Sequence, residues 1–128
     1  MPSTFRPTAL VVETNYLIAS VIEFPLTHHG YRVLMAANAE EALALLNAYP
    51  VQVALIDFRL QHGAPEGLVA KLMARGVPFI FCTAASADEV NERFPGALVM
   101  QKPFSDDQLL ATLATVSRPG VFPLAQGA

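Results

Sequence analysis

Four polar residues each close a short apolar run, and their types suit phosphoryl chemistry. Glu13 follows Ala9-Leu10-Val11-Val12, and Asp57 follows Val53-Ala54-Leu55-Ile56. Thr83 follows Phe79-Ile80-Phe81-Cys82, and Lys102 follows Ala97-Leu98-Val99-Met100-Gln101. An Asp oxygen can attack phosphorus and form an acyl phosphate. The transferring group spreads negative charge over its oxygens, so catalysis is mostly positioning and neutralisation by a divalent cation and cationic side chains. Mg²⁺ takes one or two carboxylates, with carbonyls, waters and phosphate oxygens completing its shell. Glu13, Asp57 and the main-chain carbonyl of Arg59 are the candidates for the protein's share. Lys102 would pair as a point charge with one phosphoryl oxygen, and Thr83 would donate a hydrogen bond to another.

These side chains meet only if the runs are neighbouring strands. Ala9–Val12, Val51–Ile56 and Val77–Cys82 are too short for typical helices, and continuous apolarity suits strands covered on both faces. Tyr31–Met35 and Ala97–Gln101 are more polar and fit positions nearer a sheet edge. Helical patterns fill the gaps. Ala42, Leu45, Leu46 and Tyr49 share one helical face, with Asn38 and Glu41 at its start and Pro50 as its stop. Ser86…Glu89 and Ser105…Gln108 read as capping boxes. Leu68, Leu72 and Met73 form a stripe that ends at Gly76. A first helix near Tyr16 to His29 contains Pro25, which is expected to kink or shorten it, and Gly30 ends it.

The pattern βαβαβαβαβα implies a flavodoxin-like α/β fold: a three-layer (βα)5 sandwich whose parallel five-stranded sheet has the order 2-1-3-4-5. Ligands of such sheets bind beyond the carboxyl ends of the strands at the switch between strands 1 and 3. Glu13, Asp57, Thr83 and Lys102 all fall on that rim. The 128 residues suit one domain, expected over 1–117, with 118–128 as an irregular tail.

A hydrophobic share of 53% with 15% charged residues excludes an intrinsically disordered chain. A net charge of −3 argues against direct nucleic-acid binding driven by a positive field. Cys82 is the single cysteine and reads as a small core hydrophobe, so neither a disulfide framework nor a structural zinc is expected. No run approaches the roughly 18 apolar residues of a membrane span, and no secretory leader is evident. The expectation is a cytoplasmic chain with no membrane association.

Val11-Val12-Glu13, Asp57 closing its strand, Thr83-Ala84 and Lys102-Pro103-Phe104 are spaced as in a known family. Over roughly Thr8 to Val116 the chain resembles the response-regulator receiver domains of two-component signalling. The resemblance implies that Asp57 accepts a phosphoryl group from a phosphohistidine, supplied by a sensor histidine kinase or a phosphotransfer protein. It makes Lys102 the characteristic lysine, Thr83 the switch hydroxyl and the Lys102-Pro103 bond cis. A one-domain chain is expected to be a stand-alone regulator acting through an unknown downstream protein, with a second copy of the chain as another candidate partner.

Two positions depart from the family pattern. Thr14 stands where a second acidic residue usually binds the metal, so weak Mg²⁺ binding is expected. Thr14 also reads as the N-cap of the first helix. Val99 replaces the usual Tyr or Phe, which puts the familiar coupling of that ring to the threonine in doubt. Both departures favour an alternative, a phosphorylation-independent pseudo-receiver that binds proteins. Other enzyme classes fit poorly. Thr14-Asn15-Tyr16-Leu17-Ile18 lacks the glycine of a flavin phosphate loop, and Asp57-Phe58-Arg59 lacks the second Asp of a haloacid-dehalogenase-type phosphatase. His62 reads as an exposed loop residue, and His28-His29 near a helix C-terminus suit the macrodipole and offer no metal spacing. Phe94, Val99 and Val121-Phe122 are left as apolar residues for a contact surface.

Overall fold

The computed structural model describes residues 6–60 and 65–116. Five strands alternate with five helices: β1 (Thr8–Val12), α1 (Tyr16–His28), β2 (Arg32–Ala36), α2 (Ala39–Ala48), β3 (Val53–Ile56), α3 (Glu66–Ala74), β4 (Phe79–Thr83), α4 (Ala87–Arg93), β5 (Leu98–Gln101) and α5 (Asp106–Val116). All strand pairs are parallel, in the order β2-β1-β3-β4-β5. This is the expected flavodoxin-like sandwich. His62 and the 118–128 tail lie outside the described residues.

The continuous apolar runs are explained by alternation across a doubly covered sheet. Leu10 and Val12 face one way, joining Ala54, Ile56, Phe79 and Phe81 beneath α2, α3 and α4. Ala9 and Val11 face the other way, joining Val53, Leu55, Ile80 and Cys82 beneath α1 and α5. β1, β3 and β4 are buried along their full length, whereas β2 and β5 keep partly exposed residues. Cys82 is buried at 1% exposure, and that burial pushes its thiol up to about 12.

Several local expectations need correction. Asn15, not Thr14, caps α1, its Oδ1 accepting from the Leu17 and Ile18 N–H groups at 2.9 and 3.3 Å. Thr14 Oγ1 donates instead to the Ala37 carbonyl at 3.1 Å. Pro25 does not shorten α1, which continues to His28. It falls in the last turn, where Leu26 is fully buried and the Pro25 carbonyl still accepts from the His29 N–H. Tyr49 is the C-cap of α2 and half exposed, so the buried face ends at Leu46. Met73 is exposed, and Val69 takes its place beside Leu68 and Leu72, because a helix buries i, i+1 and i+4 here rather than i, i+4 and i+5. Phe94 is buried in an aromatic cluster with Phe58 and Phe81 and contributes little to the surface.

Candidate functional site

The parallel register puts the carboxyl ends of β1, β3, β4 and β5 side by side. Backbone bonds carry that alignment into the loops. The Asp57 N–H donates to the Val12 carbonyl at 2.8 Å, and the Lys102 N–H to the Thr83 carbonyl at 2.8 Å. The Glu13 N–H donates to the Ala36 carbonyl at 2.9 Å. Each residue just past its strand is therefore fixed by the neighbouring strand. The Lys102-Pro103 peptide is cis.

Glu13 is 5% exposed, and its two oxygens have separate donors. Lys102 Nζ donates to Oε1 at 2.8 Å, and the Asn15 N–H donates to Oε2 at 3.1 Å. A carboxylate buried this deeply needs such partners, since an unpaired buried charge is strongly unfavourable. Asp57 is only partly buried, and its Oδ1 accepts from the Arg59 N–H at 3.1 Å. Burial pushes the Asp57 carboxyl above the ordinary Asp value of 3.8. The Arg59 N–H and the Lys102 charge oppose that rise, while Glu13 adds to it by charge and by a side-chain hydrogen bond. Asp57, Glu13 and Lys102 thus form one electrostatic unit.

Thr83 is 1% exposed, and its Oγ1 accepts from the Ala85 N–H at 3.0 Å. The hydroxyl holds the first turn of the loop after β4 at rest. Gln101 reinforces the same loop, donating from Nε2 to the Ala85 carbonyl at 2.9 Å. Val99 pairs with Phe81 in the β4–β5 register and is partly buried.

Mg²⁺ can be tested against these donors. Among the described residues no group of three His, Cys, Asp or Glu side chains converges. Glu13 and Asp57 do converge, and two carboxylates match the share that Mg²⁺ takes when water and phosphoryl oxygens complete its shell. The Thr14 hydroxyl, spent on Ala37, adds no charge to that set.

Some site neighbours were not apparent in the sequence. Arg59 enters there only through its carbonyl, yet its guanidinium holds Glu89 of α4, with Nη2 2.7 Å from both carboxylate oxygens. Arg93 stacks on Phe58, 4.9 Å from the ring centroid, and its Nε and Nη2 donate to Glu66. Both residues after Asp57 are thereby tied to α4. A cation two places beyond a strand-end acid, in a chain with so little charge, was the available signal.

Beside this rim α1 presents an apolar stripe. Tyr16, Leu17, Val21 and Phe24 are each 68–75% exposed. A groove between α1 and the loop that follows β5 runs from Leu17 and Val21 to Lys102, Pro103 and Phe104. No helix among the described residues is long and apolar enough to cross a membrane.

Comparison with known proteins agrees with this geometry. The model of the response regulator receiver domain family matches residues 9–114. The positive alginate biosynthesis regulatory protein of Pseudomonas aeruginosa is 35% identical over 102 residues, covering 75% of this chain and 41% of that protein. The probable transcriptional regulator ycf27 of Porphyra purpurea is 31% identical over 115 residues, covering 85% of this chain and 46% of its own. The chain therefore spans less than half the length of both. Among solved structures, a CheY-like receiver domain protein from Methanospirillum hungatei superposes with a TM-score of 0.75 at 27% identity, over 86% of this chain and 92% of that one. With the family model matched over residues 9–114 and the fold in agreement, the chain belongs to the response regulator receiver domain family.

Proposed function

We propose that the chain accepts a phosphoryl group on Asp57 from the phosphohistidine of a sensor kinase or phosphotransfer protein, and passes the signal to a partner protein. An Asp57 oxygen attacks phosphorus, the bond from phosphorus to the imidazole nitrogen breaks, and its electron pair returns to the ring. The product is an aspartyl phosphate. In this reading Lys102 neutralises a phosphoryl oxygen, and Thr83 donates to another once its hydroxyl turns from the loop. Glu13, Asp57 and the Arg59 carbonyl would hold Mg²⁺, which when bound would neutralise further phosphoryl charge. This chemistry is at most self-phosphorylation and slow loss of the group, so the chain acts as a signalling module and not as an enzyme with an external product.

The observation that carries the reading is the Lys102–Glu13 pair at 2.8 Å beside an Asp57 whose protonation responds to both. The exposed α1 stripe, continuous with the rim through Lys102 and Pro103, supports a docking protein that brings its phosphohistidine to Asp57. Borohydride trapping tests the acceptor, because it reduces an acyl phosphate to an alcohol with release of phosphate. Peptide mapping after treatment with a phosphodonor is expected to find homoserine at position 57. Unmodified Asp57 would contradict the proposal.

The Thr14 hydroxyl, turned onto Ala37, supports a second reading, a protein-binding module that works without phosphorylation. In that case the α1 stripe binds its partner equally well in Asp57→Asn.

A further inference from the structure

α5 carries a complete reciprocal cap, α2 a variant that reaches one residue further back, and α4 neither. At α5, Ser105 Oγ accepts from the Gln108 N–H at 3.1 Å and Gln108 Oε1 accepts from the Ser105 N–H at 2.8 Å. At α2, Asn38 Oδ1 accepts from the Glu41 N–H at 2.8 Å, and Glu41 Oε1 reaches back to the Ala37 N–H at 2.8 Å. At α4, Ser86 Oγ accepts from the Glu89 N–H at 3.1 Å, but Glu89 does not reach back. Its carboxylate is held by Arg59, 2.7 Å from Nη2.

Glu89 therefore has two places to go, and Arg59 decides between them. The Arg59 main chain is anchored beside the acceptor, its N–H donating to Asp57 Oδ1. Its ion pair is open to water, with side-chain exposures of 60% and 44%, so it is weakly held. A phosphoryl group on Asp57 replaces the single carboxylate charge with nearly two negative charges, carried on oxygens that reach further from the main chain. A guanidinium prefers that group, which it can meet with a two-pronged hydrogen-bond pattern.

We propose that phosphorylation draws the Arg59 guanidinium from Glu89 to the phosphoryl oxygens, and that the freed Glu89 carboxylate closes the capping box on the Ser86 N–H. Arg59 is then a positioning residue that converts phosphoryl charge into a tighter N-terminus of α4. The route needs no aromatic ring at position 99, where this chain has Val99. The inference rests on Asp57 as acceptor.

The test uses ¹⁵N-labelled protein with phosphoramidate and Mg²⁺, read by intact mass and by NMR exchange of the Ser86 amide. Phosphoramidate loses ammonia as the Asp57 oxygen bonds phosphorus. In the wild type, gain of a phosphoryl mass is expected to slow Ser86 exchange roughly two- to tenfold, the effect of one added hydrogen bond. In Glu89→Gln the uncharged amide releases Arg59 but still caps, as Gln108 does. Ser86 should then exchange slowly before phosphorylation, with no further change after it. Arg59→Lys, which keeps the charge but not the two-pronged fork, should keep the response in weakened form, whereas a purely structural ion pair would leave the phosphorylation-dependent change intact in Glu89→Gln. A phosphorylated wild type with unchanged Ser86 exchange overturns the switch alone. Absence of any phosphoryl mass overturns the acceptor assignment and the switch together, and the mass spectrum separates the two failures.

Discussion

Lys102 Nζ lies 2.8 Å from Glu13 Oε1, joining residues 89 positions apart at the ends of β5 and β1. The pair spans the rim on which Asp57 sits and gives the buried Glu13 carboxylate a cationic partner. Lys102 therefore has a structural duty before any phosphoryl group arrives. The same lysine lowers the cost of ionising Asp57, so one cation serves both carboxylates.

Lys102→Met removes the Glu13 partner without removing the Glu13 charge. The expected loss is about 1.5–3 kcal/mol, the range for a hydrogen bond to a charged group. Urea unfolding at neutral pH measures it. Added Mg²⁺ should raise the Tm of the variant more than that of the wild type, because the cation neutralises the orphaned carboxylate.

Asp57→Asn should stabilise the fold. Burial raises the Asp57 carboxyl above its ordinary value of 3.8, so the folded state resists ionisation and holds its proton to higher pH than the unfolded chain. The destabilising contribution is absent below pH 3.8, grows as pH rises through the folded value, and is complete above it. Variant and wild type should thus converge in acid and separate towards neutrality, as thermal unfolding across pH would reveal. A constant gap at all pH values would refute the desolvation argument.

Thr14→Asp should tighten Mg²⁺ binding. A charge-assisted contact contributes about 1.5–3 kcal/mol, which is roughly ten- to hundredfold in Kd. The lost Thr14–Ala37 bond places the expected gain near the lower end. Calorimetric titration decides it, and an unchanged Kd would mean that position 14 does not face the metal donors.

Most of the architecture could be read from the sequence because covered strands leave a plain mark. The runs ending at Val12, Ile56 and Cys82 are apolar on both faces, and the next charged or hydroxyl residue marks the carboxyl edge. Glu13, Asp57, Thr83 and Lys102 followed from that edge alone. Local chemistry was harder to see. Thr14 and Asn15 are both good caps, and only the path of the chain past Ala37 chooses between them. The side chains of Arg59 and Glu89 are 30 residues apart, and their pairing depends on how α4 packs over the loop after β3. Ser86 and Glu89 matched a capping box by spacing, but spacing carries no information about a competing cation.

The most direct measurement is the intact mass of the protein after incubation with phosphoramidate over a wide range of Mg²⁺ concentrations, beside Asp57→Asn. Asp57 as acceptor with a two-carboxylate metal site requires one added phosphoryl mass that appears as Mg²⁺ rises and is absent from Asp57→Asn. An unmodified wild type at every Mg²⁺ concentration, or equal modification of Asp57→Asn, would contradict it.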